Sequence, residues 1–75
     1  MKVIDSAVII QLDKEEKAKI SEVHKIISDL YDTIREHERN HLYSDDGDVF
    51  SEDQLWDAYN LTAVLVTSDK LRLER

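Results

Sequence analysis

Two histidines four residues apart, with a glutamate after the first, are the residues here whose types and spacing could do chemistry. They are His37, Glu38 and His41, in the stretch IREHERNHLY. On a helix, positions i and i+4 share a face and can hold one zinc ion, while the glutamate between them activates a water; this is the H-E-x-x-H signature of zinc peptidases. Such a centre needs a third protein ligand. His24 lies thirteen residues before His37 on what reads as the same helix, roughly 20 Å away at 1.5 Å per residue. The neighbours Arg35, Glu36, Arg39 and Asn40 are solvated types rather than walls of a dry cleft. A structural role fits better: His41 continues the apolar stripe of the helix, His37 sits at its edge, and both complement the dipole at its C-terminus. A zinc-dependent hydrolase through His37, Glu38 and His41 is the remote alternative; the reading adopted is of no enzyme, metal or cofactor.

A second cluster, Asp45, Asp46 and Asp48 around Gly47, suggests calcium. An EF-hand loop places acids at positions one, three, five and twelve with glycine at six. Setting Gly47 at six puts Leu42 at one, so the register fails. Aspartate beside glycine is ordinary turn chemistry.

The elements that must position these residues follow from composition and period. The chain has 75 residues with 41 % apolar content, no proline, one glycine and no cysteine. This is a single small domain spanning 1–75, without disulfide or zinc-thiolate staples. Near-absence of helix breakers favours long helices. Residues 3–12, VIDSAVIIQL, alternate and are rich in β-branched types, which predicts a strand broken near Asp5 and Ser6. Asp13 with Glu16 forms a capping box that opens a long helix over about 14–41. Ile20, Val23, Ile27, Leu30, Tyr31 and Ile34 share its core face, with Ile26 on the flank and Glu22, Lys25, Asp29, Asp32 and Glu36 opposite. Residues 42–50 form a loop. Ser51 with Gln54 opens a second helix over about 52–67, whose inner face is Leu55, Ala58, Tyr59, Thr62, Leu65 and Val66. Leu61 and Val64 point elsewhere and form an oligomer interface. The tail, 69–75, extends this helix or forms a short edge strand. The fold class is therefore mainly α: an antiparallel two-helix hairpin with a short N-terminal strand, completed by a homodimer contact or a partner.

The net charge of −7 is concentrated. Residues 43–60 hold Asp45, Asp46, Asp48, Glu52, Asp53 and Asp57 with no lysine or arginine among them. The same segment holds four of the five aromatic residues, Tyr43, Phe50, Trp56 and Tyr59. Carboxylates interleaved with aromatics suit a basic groove: charge steers the encounter and a large ring anchors it. The charge opposes direct binding of nucleic acid, which needs lysine and arginine to release counterions. Tyr43, Asp45, Asp46, Asp48, Phe50, Glu52, Asp53, Trp56 and Asp57 are thus the candidate partner-binding residues; the alternative is a solvated acidic loop with Trp56 and Phe50 as ordinary core closing the helix hairpin. The start MKVIDSAVII lacks the shape of a signal peptide, and no apolar run reaches the length of a membrane helix. The expected setting is the cytosol of a bacterial host.

The opening KVIDSAVIIQLDKEEKAKI, followed by a long helix, an acidic loop and a short helix, resembles small acidic helical proteins of phages and mobile elements of Firmicutes. That resemblance implies a non-enzymatic inhibitor of host defence, in the manner of anti-CRISPR proteins, some of which mimic nucleic acid. The implied partner is a protein with a basic surface, such as a nuclease. A self-assembling adaptor that uses Leu61 and Val64 is the alternative.

Overall fold

The structure is a computed structural model that describes residues 1–5 and 9–73. In chain order the elements are β1 (Lys2–Asp5), β2 (Ile9–Gln11), α1 (Lys14–Glu36), β3 (His41–Tyr43), β4 (Val49–Ser51), α2 (Glu52–Thr67) and β5 (Leu71–Arg72). Two helices dominate, as the periodicity predicts, but among the described residues five short antiparallel strands accompany them.

Both capping boxes form. The Glu16 backbone N–H donates to the Asp13 carboxylate at 2.8 Å, and the Asp13 N–H donates to the Glu16 side chain at 3.1 Å. The bond from the Glu16 N–H holds the Asp13 carboxyl below its ordinary pKa. Ser51 and Gln54 repeat the reciprocal pair at the start of α2. Each box satisfies two backbone donors that a helix start otherwise leaves unpaired.

The helices pack along one seam. Ile34 and Leu55 are buried, at 7 % and 9 % exposure, and Thr62 at 9 %. Ile20, His24, Ile27 and Tyr31 line the α1 side half-buried, facing half-buried Ala58, Tyr59, Leu65 and Val66. His24 Nδ1 lies 2.7 Å from Thr62 Oγ1. The Thr62 hydroxyl has one hydrogen, and its oxygen sits 2.9 Å and 3.0 Å from the carbonyls of Ala58 and Tyr59. With that hydrogen on a carbonyl, the hydroxyl oxygen accepts and His24 donates through Nδ1; the tautomer of the ring sets which way the bond runs. The His24 ring also packs on Tyr59, centroids 4.4 Å apart. The helices run antiparallel: His24 meets Thr62, Tyr31 meets Trp56 and Arg35 meets Glu52.

Four expectations need correcting. The long helix ends at Glu36 rather than near residue 41. His37 is its C-cap, Glu38 adopts the left-handed φ of 55°, and two closing bonds follow: Glu38 N–H to Arg35 O at 3.0 Å and Arg39 N–H to Ile34 O at 2.9 Å. This is a Schellman ending with glutamate where glycine is usual. Secondly, residues 42–50 are not a plain loop: they hold the β3–β4 hairpin. Thirdly, Val23 and Leu30 are not core: their exposures are 48 % and 36 %. One opposing helix covers only a narrow stripe, and His24 and Tyr31 fill it instead. Fourthly, the N-terminal strand is a pair. β1 runs antiparallel to β2, and β2 also pairs with β5 through Ile9–Arg72 and Ile10–Leu71. A single strand would leave both its edges unpaired; here β2 is satisfied on both sides. The tail therefore turns back as an edge strand. Ser6, Ala7 and Val8 of the expected strand, and Glu74 and Arg75 of the tail, lie outside the described residues.

Two substitutions follow from this arrangement. Glu38→Gly removes the left-handed penalty at the end of α1 and should raise stability by about 1 kcal/mol, read as a rise in the thermal midpoint. Thr62→Val keeps the shape but leaves the His24 donor without its acceptor. It should cost about 1 kcal/mol, lowering the thermal midpoint by roughly 4–8 °C.

Candidate functional site: an acidic and aromatic end

The turn that closes α1 aims the chain away from the seam and into the hairpin. His41 faces Ser51, Leu42 faces Phe50, and Tyr43 faces Val49 across the two strands. The Glu52 N–H donates to Asn40 O at 2.9 Å, which ties the base of the hairpin to the start of α2. Strand alternation puts His41, Tyr43, Val49 and Ser51 on one face and Leu42 with Phe50 on the other. Leu42 is half-buried, whereas Phe50 is 45 % exposed, Val49 47 % and Tyr43 67 %.

The turn itself is built from its own polar groups. Ser44 N–H donates to Asp48 O at 3.0 Å and Gly47 N–H to Ser44 O at 3.1 Å. The Asp48 N–H donates to the Ser44 hydroxyl at 3.0 Å, and that hydroxyl reaches the Asp48 carboxylate at 3.4 Å. Gly47 has φ of 90°, a conformation that side chains with a Cβ rarely adopt. Asp45 and Asp46 stand exposed on the turn, with their carboxylates in water. The three aspartates thus crown a hairpin rather than surround an ion.

At the hairpin base, Glu52 and Asp53 occupy the first turn of α2, where the helix dipole favours acids. Asp57 follows Asp53 by one turn, and both are exposed. Trp56 lies on the same outer part of α2 at 47 % exposure. Its ring stacks on Tyr59 at 5.5 Å with a 13° interplanar angle and touches Tyr31 at 5.5 Å. Arg35 lies over Tyr31, 5.5 Å from the ring centroid, and donates to its hydroxyl at 3.1 Å. Trp56 is therefore oriented by a ring ladder while one side stays open to solvent.

Two residues escaped the sequence reading. Arg35, distant in sequence, brings its guanidinium to 3.7 Å from the Glu52 carboxylate, so one of the six acids meets a base in space. Val49 joins Tyr43 as an exposed cross-strand pair. The signal for it was the alternation in HLY and VFS on either side of SDDGD, which marks a hairpin.

The histidine motif does not have the geometry its spacing suggests. His37 is the helix cap, Glu38 reverses the backbone, and His41 lies on β3, exposed, with Nδ1 2.7 Å from Asn40 Oδ1. The expected continuation of the apolar helix stripe to His41 is thus overturned, because α1 stops before it. Among the described residues, no three histidine, aspartate or glutamate side chains converge to hold a metal. No helix among them is long and apolar enough to cross a membrane. Searches against protein-family models, curated proteins and solved structures find no match for this chain.

The turn makes a clean test of the hairpin. A Cβ on Gly47 would meet nothing within 4 Å, so Gly47→Ala costs only the backbone strain. About 1 kcal/mol of local opening should speed amide exchange roughly fivefold at Leu42 and Phe50, the hydrogen-bonded pair of the ladder by the alternation that Ser44–Asp48 sets, with helix amides unchanged.

Proposed function

We propose that this chain is a non-enzymatic protein-interaction module whose acidic and aromatic end occupies a basic surface of another protein. The observation that carries this reading is the composition of residues 43–60: six acids and no base, beside Tyr43, Phe50 and Trp56 that are 45–67 % exposed. Half-exposed rings in so small a chain are hydrophobic area kept out of its own interior, where it was needed. Carboxylates around them suit a surface of lysine and arginine, and an open Trp or Tyr supplies the anchoring area that such contacts depend on. Basic surfaces of that kind are most often sites for nucleic-acid phosphates, with which these carboxylates would compete. The function that fits is an inhibitor of a nucleic-acid-handling protein, such as a nuclease of host defence, encoded by a phage or mobile element and working in the bacterial cytosol. The resemblance of the first nineteen or so residues to such proteins supports that reading. Self-association belongs to it as well, since the helical pair leaves apolar residues uncovered. A self-assembling adaptor is the second reading, favoured by Leu61 and Val64, which are 58 % and 50 % exposed on α2.

The test is a pull-down from a bacterial lysate with low-salt and then high-salt washes, followed by titration of the recovered partner. The module reading expects a nucleic-acid-binding protein that salt releases. Asp45, Asp46 and Asp48 changed together to Asn should weaken its affinity about tenfold or more and flatten the salt dependence. Unchanged affinity in the triple variant would sink the charge argument, and recovery of the chain alone as a salt-resistant oligomer would favour the adaptor.

A further inference from the structure

α1 carries two apolar stripes and α2 covers one. Ile20, Ile27 and Ile34 turn toward α2. Val23, Ile26 and Leu30, at 48 %, 59 % and 36 % exposure, form the other stripe, roughly a quarter-turn round the helix at about 100° per residue. The contacts already described tell which flank of the pair this is. Arg35, Tyr31, Trp56 and Glu52 interlock on one flank. Leu30 is five residues before Arg35, so it stands about 140° round α1, past the seam, on the other flank; Leu61 is five after Trp56, so it stands about 140° round the outer face of α2 and reaches that same flank from the far side. The antiparallel register set by His24–Thr62 and Tyr31–Trp56 places Leu61 across from Lys25, level with Val23 and Ile26. The two helices thus share one apolar patch of Val23, Ile26, Leu30 and Leu61. Val64 points away from it.

The isolated chain is also too exposed for its mass. Its surface is 6162 Å², against about 4,800 Å² for a compact 8.8 kDa monomer, an excess of about 1,400 Å². Its radius of gyration is 15.1 Å, where about 11 Å is typical for this length. Covering that excess on two chains would bury about 2,800 Å², the range of obligate homodimers.

From these observations we infer that the Val23–Ile26–Leu30 stripe, with Leu61 beside it, is a homodimer interface in which two α1 helices pack antiparallel about a two-fold axis near Ile26. The occupant is a second copy because the stripe is self-complementary. An axis at Ile26 sets Val23 of each helix beside Leu30 of the other. Charge favours the same pairing. Residues 14–25 carry four lysines against three glutamates, and residues 26–36 carry one arginine against three acids. Antiparallel packing brings the positive half of each helix against the negative half of the other, and parallel packing would set like against like.

The inference is independent of what the acidic end binds, and sedimentation reads it with no partner present. The native chain should sediment at twice its 8.8 kDa mass at micromolar concentration. Ile26→Glu and Leu61→Glu should sediment at the chain mass, while Val64→Glu stays dimeric. The chain has no native cysteine, so Ile26→Cys tests the axis directly: it should oxidise to a covalent dimer, and Val64→Cys should not. A native chain that stays monomeric overturns the inference, as does a dimer broken by Val64→Glu and spared by Ile26→Glu.

Discussion

The bond between His24 and Thr62 sets where everything else in this chain stands. It is a polar contact inside the seam that joins the two helices, with His24 Nδ1 2.7 Å from Thr62 Oγ1. The Thr62 oxygen also lies 2.9 Å and 3.0 Å from two carbonyls of its own helix, so it is held from both sides. Leucines could slide along such a seam by a turn with little penalty; a directed hydrogen bond could not. With this register held, Tyr31 meets Trp56 and Arg35 reaches Glu52. The end of α1 and the start of α2 then lie side by side, so the intervening chain has room for only a hairpin. The acidic end is a consequence of the seam.

What could be read from the residues divides along physical lines. The helix starts were legible because capping boxes are local: Asp13 with Glu16 and Ser51 with Gln54 act within one turn, whatever lies beyond. The start of α2 was legible for the same reason, while its tail read equally as more helix or an edge strand, because what decides it is pairing with β2, far away in the chain. The end of α1 was not. Its Schellman turn uses Glu38 in a left-handed conformation, and only glycine or asparagine there would have advertised it. The histidine motif was misplaced by the same five residues, since its helical face ceases to exist at Glu38. The core stripe of α1 was overdrawn for a different reason. Periodicity counts apolar residues on a face, but the width of what is buried depends on how many elements come to cover it. Here that is one helix, so Val23 and Leu30 remain at the surface.

Among the candidate site residues, charge and aromatic content were visible in the linear order, while their presentation was not. Nothing in the composition of residues 43–60 says whether Phe50 and Trp56 close the helical pair or face outward. The strand pairing decides for Phe50, which shares a face with half-buried Leu42 at the outer edge of the hairpin. The ring ladder decides for Trp56, which leans on Tyr31 and Tyr59 but keeps nearly half its surface in water. Arg35 then places a base beside Glu52 that no count along the segment could reveal. The carboxylates of the hairpin turn and of the outer face of α2 stand apart from that pair.

The shallow interior has a consequence for the life of the molecule in a cell. Among the described residues no side chain is fully buried, so the apolar area that resists unfolding is thin and shared along a single seam. A fold with so small a reserve draws a large part of its persistence from whatever binds the folded form, by mass action. Unbound copies open more often and are the ones that proteases remove. Any ligand of the folded form would thereby lengthen its lifetime as well as raise its stability.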